Sequence, residues 1–192
     1  GYDEFSLERI QSIFASICKK GFKSDGMVYD AASVTAESIR EANRYGGIRV
    51  RLSGRLGSAR ARLQLDIGFG DTVIPKPKVV SLPTLLPMPA PKLRIYPRES
   101  VVAEKFQTMV VLGLMNSRMK DYFDIFQLCR SFSFAGKELA KAIEATFKRR
   151  ATVLPKELPL GLSTELSEDK ERQRMWSAYL TRIGQASSGI KL

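Results

Sequence analysis

Histidine is absent from the 192 residues, and there are only two cysteines and one tryptophan. Without histidine the chain cannot carry a Ser-His-Asp or Cys-His nucleophile system, nor a histidine-based metal centre. Cys18 and Cys129 are too few for a thiolate zinc site or a disulfide framework. Both fall in helix-like apolar patterns and read as free, buried thiols in a reducing cytoplasm. Long apolar runs are missing too. The longest, residues 109–115, is far short of the roughly 20 residues needed to span a bilayer, and no secretory leader is recognisable. Acidic residues are scarce beside basic ones: 20 Asp and Glu against 31 Lys and Arg, a net charge of +11. That balance favours nucleic acid, nucleotides or anionic surfaces as partners. With 44% hydrophobic residues the chain can bury a core, which excludes a disordered polymer. Its length suits one domain, or one with a helical appendage. It opens on Gly1-Tyr2-Asp3 without a methionine, which reads as native sequence missing upstream.

The basic residues are unevenly placed. Arg40, Arg44, Arg49, Arg51, Arg55, Arg60 and Arg62 fall in one stretch that holds a single acid, Glu41. All are arginine, whose planar fork matches phosphate; the alternative is a solvated strand face. Lys148, Arg149 and Arg150 end an expected helix, where they complement its dipole.

Periodicity predicts an amphipathic helix over residues 6–20, with Leu7, Ile10, Phe14 and Ile17 on one face, Ser6 as cap, Phe5 and Ile10 as a staple and Gly21 as stop. Residues 27–29 and 34–39 suggest short strands joined by a turn around Asp30. Residues 48–53 and 59–67 alternate apolar and polar with period two, as half-buried strands do. A two-residue loop at Leu56-Gly57 keeps their apolar sides together and sets Arg51 opposite Arg62, Arg49 opposite Gln64 and Gly47 opposite Asp66. Such a like-charged cross-strand pair is unfavourable unless an anion covers it or the side chains splay into water. Residues 75–97 are rich in proline and read as an extended connector, with a short strand at 93–96. Helices are expected at 100–112, 119–132, 136–150 and 163–183.

Three features could carry chemistry. Asp66, between Leu65 and Ile67 on a strand, is the kind of carboxylate that holds Mg²⁺ in nucleotidyl transfer, although any amphipathic strand may contain one. Lys105 stands on a partly apolar helical stripe, where it could meet a triphosphate, snorkel, or pair with a core carboxylate. Arg118, Lys120, Asp121 and Asp124 open the next helix at i, i+3 and i, i+4 spacing, which fits both a cleft wall and local ion pairs.

The order Asp66-Ile67-Gly68-Phe69-Gly70-Asp71, then residues 96–105 ending in Glu104-Lys105, then Asn116-Ser117-Arg118-Met119-Lys120-Asp121-Tyr122-Phe123-Asp124, closely resembles the AbiEii family. These are nucleotidyltransferase-like toxins of type IV toxin–antitoxin and abortive-infection systems, in the DNA polymerase beta superfamily. The resemblance runs from about Phe5 onward. It implies an α+β fold, with an incomplete nucleotidyltransferase-type mixed β-sheet and helices over residues 1–95 and a C-terminal helical bundle over 96–192. It also implies Mg²⁺-dependent transfer of a nucleotide from a nucleoside triphosphate to an acceptor, an RNA or tRNA, by a cytoplasmic protein with a cognate antitoxin and no membrane association.

Residue by residue, the resemblance makes Asp66, Lys105 and Asp121 catalytic, with Asp66 also a metal ligand. Lys105 and Lys120, with the neighbouring Arg118, would bind the nucleotide phosphates, and Asp71 and Asp124 would support them; the charge of the hairpin face, not the resemblance, makes Arg49, Arg51, Arg60 and Arg62 the guides for nucleic acid. The family's opening motif, a Gly-Gly or Gly-Ser turn followed by an Asp-x-Asp strand, has no counterpart here and would end just before Gly1. On that basis the chain alone is expected to be inactive, and a non-catalytic nucleic-acid-binding or antitoxin-binding module is the competing reading.

Overall fold

The computed structural model describes residues 6–20, 25–39 and 46–192. They form an α+β protein that divides into two compact units, Gly1–Asp71 and Thr72–Leu192. The expected staple at Phe5, the stop at Gly21 and the cations Arg40 and Arg44 lie outside the described residues.

In the first unit, helix α1 (Leu7–Lys20) packs on a three-stranded antiparallel sheet of β1 (Met27–Ile39), β2 (Gly47–Leu56) and β3 (Ala59–Gly68), in the order β1-β2-β3. Ser6 caps the helix, its Oγ accepting from Arg9 N at 3.2 Å. The buried face is Ile10 and Cys18 with Leu7 and Phe14, packed on Val34, Ile48, Val50 and Leu52. Ile17, placed by periodicity on this face, is instead 53% exposed. At 100° per residue the stripe through Leu7, Ile10 and Phe14 continues to Cys18, one residue further on.

The two strands expected at 27–29 and 34–39 are one strand with a bulge, where the register to β2 shifts between Asp30 and Thr35. Side chains satisfy the backbone that the bulge leaves unpaired. Ser33 Oγ accepts from Ser53 N at 2.9 Å and donates to Asp30 O at 2.7 Å. Gln11 of α1 donates to Val34 O at 2.7 Å, which ties the helix to the strand.

The β2–β3 hairpin turns at Gly57-Ser58, one residue later than expected, with Leu56 opposite Ala59. Gly57 has φ +57°, a conformation that suits glycine at the first position of a two-residue hairpin turn. The register therefore differs by two residues from the one expected. Arg49 faces Asp66, Arg51 faces Gln64, Ser53 faces Arg62 and Arg55 faces Arg60. A shift of two leaves every side chain on the same face, so alternation alone cannot distinguish the two registers.

In the second unit a ribbon of β4 (Lys78–Ser81) and β5 (Lys92–Ile95) precedes α2 (Arg98–Leu112), α3 (Met119–Ser131), α4 (Gly136–Arg149), α5 (Thr164–Glu168) and α6 (Lys170–Arg182). The proline-rich segment is pinned to the start of α2: buried Ser100 donates to Ile74 O at 2.8 Å and accepts from Ile74 N at 2.9 Å. α2 ends at Gly113, whose N–H bonds Met109 O. α4 packs on α2, with the rings of Phe106 and Phe147 5.4 Å apart. α6 packs on α3 through Met119, Phe123, Trp176, Tyr179 and Leu180.

The single helix expected at 163–183 is two, because Asp169 leaves the helical conformation and caps α6, its Oδ1 accepting from Arg172 N at 2.8 Å. Cys129, expected to be buried, is exposed. It lies in the last turn of α3, where Cys129, Arg130 and Ser131 are all exposed.

Gly161 lies in a 3₁₀ turn (Leu160–Leu162) pressed on α2, where an added Cβ would come within 2.2 Å of Met109 O. The obstruction is backbone, so no rotamer relieves it. Gly161→Ala is expected to destabilise the protein by at least the about 1–3 kcal/mol typical of overpacking. A thermal melt checks this, and an unchanged Tm would show that the turn can withdraw from α2.

Candidate active site

The second unit gathers five of the residues singled out in the sequence. Lys105 projects from α2 toward the first turns of α3, where Asp121 and Asp124 stand one turn apart on a common face. Lys105 Nζ lies 2.5 Å from Asp121 Oδ1 and 2.8 Å from Asp124 Oδ2. Arg118 Nε lies 2.7 Å from the other Asp121 oxygen, and Lys120 pairs with Asp124. The i, i+3 and i, i+4 ion pairs expected within α3 are thus formed, but Lys105 joins them across the helix interface.

Burial sets the electrostatics. Asp121 is 4% exposed, while the side chains of Lys105 and Asp124 are 17% and 25% exposed. Burial would lower the Lys105 pKa, but hydrogen bonds to Asp121 and Asp124 outweigh it, and the net shift is upward from 10.5. Burial would raise the Asp124 pKa, but hydrogen bonds from Lys105 and Lys120 bring it below the ordinary 3.8. Lys105 is therefore a fixed cation, not a general base. Its ammonium has three hydrogens, and the two carboxylates engage two. Asp121 Oδ2, shielded from solvent, contacts Arg118 as an ion pair without hydrogen-bond alignment.

Asn116 holds the start of α3 in place. It is fully buried, accepts from Arg118 N at 2.9 Å and donates to the Tyr122 hydroxyl at 3.1 Å, which donates in turn to Gly161 O at 2.9 Å. Burial, the largest influence on the Tyr122 hydroxyl, pushes its pKa up and keeps it a neutral donor. Beside this start opens a cleft of about 530 Å³, lined by Ser117, Arg118, Lys120, Asp121, Tyr179 and Arg182 among others. Arg182 was not singled out in the sequence. It reads there as a last-turn cation complementing the α6 dipole, and only the packing of α6 on α3 brings it to the cleft.

Asp66 and Asp71 belong to the first unit. Asp66 is exposed on β3 and accepts two hydrogen bonds from Arg49, at 2.7 and 2.8 Å. Those bonds hold its carboxyl below the usual range. Glu37 engages Arg51 at 2.7 Å. Of the arginines expected to guide nucleic acid, Arg49 and Arg51 are thus ion-paired, while Arg60 and Arg62 stand at the hairpin end of the same face. Asp71 is half-buried just past the sheet.

The described residues contain no group of three or more Asp, Glu, Cys or His able to hold a metal ion. Asp66 is engaged by an arginine, and Asp121 and Asp124 are neutralised by cations, so these side chains do not form a cage for Mg²⁺.

A strand carboxylate, a helical lysine and a Lys-Asp helix start follow one another in this order on an α+β scaffold. The family model described as nucleotidyl transferase AbiEii toxin, type IV toxin–antitoxin system, matches residues 1–188, and the chain belongs to that family. No curated protein and no solved structure matches it. The family is one of nucleotidyl transferases, which implies a nucleoside triphosphate substrate and usually a divalent metal, and its type IV toxin–antitoxin description implies a cognate antitoxin. No helix among the described residues is long and apolar enough to cross a membrane.

The cluster makes stability pH-dependent in a fixed direction. Asp124 titrates below its ordinary value in the folded state, so its contribution is complete above about pH 4 and fades as pH falls through the folded pKa. Lys105 titrates above its ordinary value, so its contribution is lost only as pH rises beyond about 10.5. The Tm difference between wild type and Asp124→Asn is expected to be level from about pH 5 to 9 and to shrink below about pH 4. A difference that does not change with pH would show that Asp124 is not ionised in the fold.

Proposed function

We propose that the protein transfers a nucleotide from a nucleoside triphosphate to an acceptor nucleic acid, an RNA such as tRNA. The observation that supports this reading is the buried Lys105 ammonium, held by Asp121 and Asp124 beside a cleft lined by Arg118, Lys120 and Arg182. In this reading Arg118, Lys120 and Arg182 neutralise the triphosphate, and Lys105 directs its remaining N–H to a phosphate oxygen. The acceptor hydroxyl attacks the α-phosphorus in line and gives up its proton to water as the bond from the α-phosphorus to the oxygen bridging the β-phosphate breaks, and pyrophosphate leaves. Positioning and fixed charge supply the catalysis. Asp121 has two roles, fixing Lys105 and forming the cleft wall. Asp66 keeps the catalytic and metal-binding role that the family motif implies, which requires release from Arg49. Mg²⁺ dependence belongs to the reading, but no step is assigned to a metal on the described carboxylates. The protein would act in the cytoplasm, opposed by its antitoxin, with Asp71 and Asp124 in support.

The Asp66–Arg49 pair favours a second reading, a non-catalytic nucleic-acid binder, because a carboxylate already held by a guanidinium is a poor metal ligand. Binding that persists unchanged in the presence of a chelator, with no transfer, would select it.

The test is transfer of label from nucleoside triphosphates to RNA by the full-length protein. Lys105→Ala and Asp121→Ala are expected to abolish transfer. Removal of Lys105 also leaves buried carboxylates unpaired, so the exposed Arg182, which holds no buried carboxylate, is the cleaner probe. Arg182→Ala is expected to lower kcat/KM for the nucleotide about tenfold, or about 1.4 kcal/mol, with little change in Tm, whereas Arg118→Ala is expected to lower both kcat/KM and Tm, because it leaves Asp121 Oδ2 without its cation. Undiminished transfer in both Lys105→Ala and Asp121→Ala would rule out the assigned cleft.

A further inference from the structure

The polar face of the first-unit sheet is not uniformly basic. At the end far from the turn, β2 and β3 bring Arg49 to Asp66, and β1 brings Glu37 to Arg51. Toward the turn the acids run out. Arg55 stands directly opposite Arg60, and Arg62 follows two residues along β3 on the same face. All three are exposed, and none of them forms an ion pair among the described residues. The nearest acid on this face, Asp30, turns Oδ1 to Ala32 N at 2.9 Å.

Like charges directly opposite each other on adjacent strands oppose folding. The bulge in β1 and the glycine turn nonetheless fix this register. The three guanidinium groups spring from points about 5 Å apart across the ladder and about 7 Å apart along β3. That is an array of forked donors on one face of a hairpin, at spacings suited to successive phosphates of one strand. A groove of about 470 Å³ opens beside it, lined by Val28, Asp30, Ser53, Arg55 and Arg60 among others.

We propose that Arg55, Arg60 and Arg62, at the tip of the β2–β3 hairpin, form a docking surface for the phosphate backbone of a nucleic-acid strand. The surface belongs to the first unit and the cluster around Lys105 to the second, and Arg49 and Arg51 contribute little to the surface because their charge is already matched. The acceptor strand of the proposed transfer is the natural occupant, so the biological assignment rests on that reading, whereas binding itself does not.

The experiment is fluorescence anisotropy of a labelled single-stranded RNA with the full chain, in chelator and without nucleotide, over a salt series. Wild type is expected to bind with log K falling linearly against log salt. The triple variant Arg55→Ala, Arg60→Ala, Arg62→Ala is expected to lose at least tenfold in affinity near 0.1 M salt and to flatten the slope by about 2, from three contacts at about 0.7 each. Arg49→Ala with Arg51→Ala is expected to lose less than threefold. Because it removes the like-charge pair, the triple variant is expected to melt no lower than wild type, and a thermal melt beside the binding series separates lost binding from unfolding. Unchanged affinity and slope in the triple variant would overturn the proposal, as would an equal loss from Arg49 and Arg51. An acidic polypeptide that displaces RNA at lower charge-equivalent concentration would assign the surface to a protein partner instead. Tip-dependent binding without any transfer activity would sink the transferase reading alone; transfer that persists with tip-independent binding would sink this proposal alone.

Discussion

A lysine ammonium taken largely out of water must be given back, from fixed groups, the solvation it loses. Lys105 meets this demand with two carboxylates from a neighbouring helix, and much of the second unit follows from that. The demand fixes the rotation of α3, because Asp121 and Asp124 must both turn toward α2. It fixes where α3 begins, and Asn116 reinforces that start through Arg118 N and Tyr122. It also places Arg118 and Lys120 at the rim, where each neutralises one of the same carboxylates from the outside. Three cations against two anions leave the cluster with a surplus positive charge beside an open cleft, an arrangement suited to a polyanionic substrate.

In the first unit the corresponding constraint is a turn. A glycine with positive φ at Gly57 sets the hairpin register, and the register decides which arginines are matched. Arg49 and Arg51 are held by Asp66 and Glu37, whereas Arg55, Arg60 and Arg62 are left to solvent or to a ligand. The same ladder that positions Asp66 therefore also neutralises it. This is one reason the described carboxylates do not form a metal cage.

Much of the fold was legible because periodicity reports burial. The spans of α1, α2, α3 and α4 follow from apolar spacing, with Ser6 capping α1 and Gly113 ending α2, although α2 begins at Arg98, ahead of the expected Ser100, and the two strands of the hairpin follow from alternation. Three features were not legible. The two hairpin registers differ by an even number of residues and present identical faces. The bulge in β1 depends on Ser33 and Gln11 supplying tertiary hydrogen bonds that no local pattern encodes. The break at Asp169 depends on a cap competing with helix continuation within an otherwise periodic stretch. At the site, the residue types and the local pairs within α3 were readable from spacing. The grip of Lys105 on both aspartates was open among several alternatives, and the arrival of Arg182 at the cleft required knowledge of how α6 packs.

The central claim is that Lys105 and Asp121 are strongly coupled across the α2–α3 interface. A double-mutant cycle with Lys105→Met and Asp121→Asn, read by denaturant unfolding, measures that coupling directly. Either single change strands a buried charge, so each is expected to cost about 3 kcal/mol or more, while the double variant costs much less than their sum, giving a coupling of at least about 2 kcal/mol. Additive effects within about 0.5 kcal/mol would show that the two groups do not sense each other, and the cluster would lose its place as the organiser of the site.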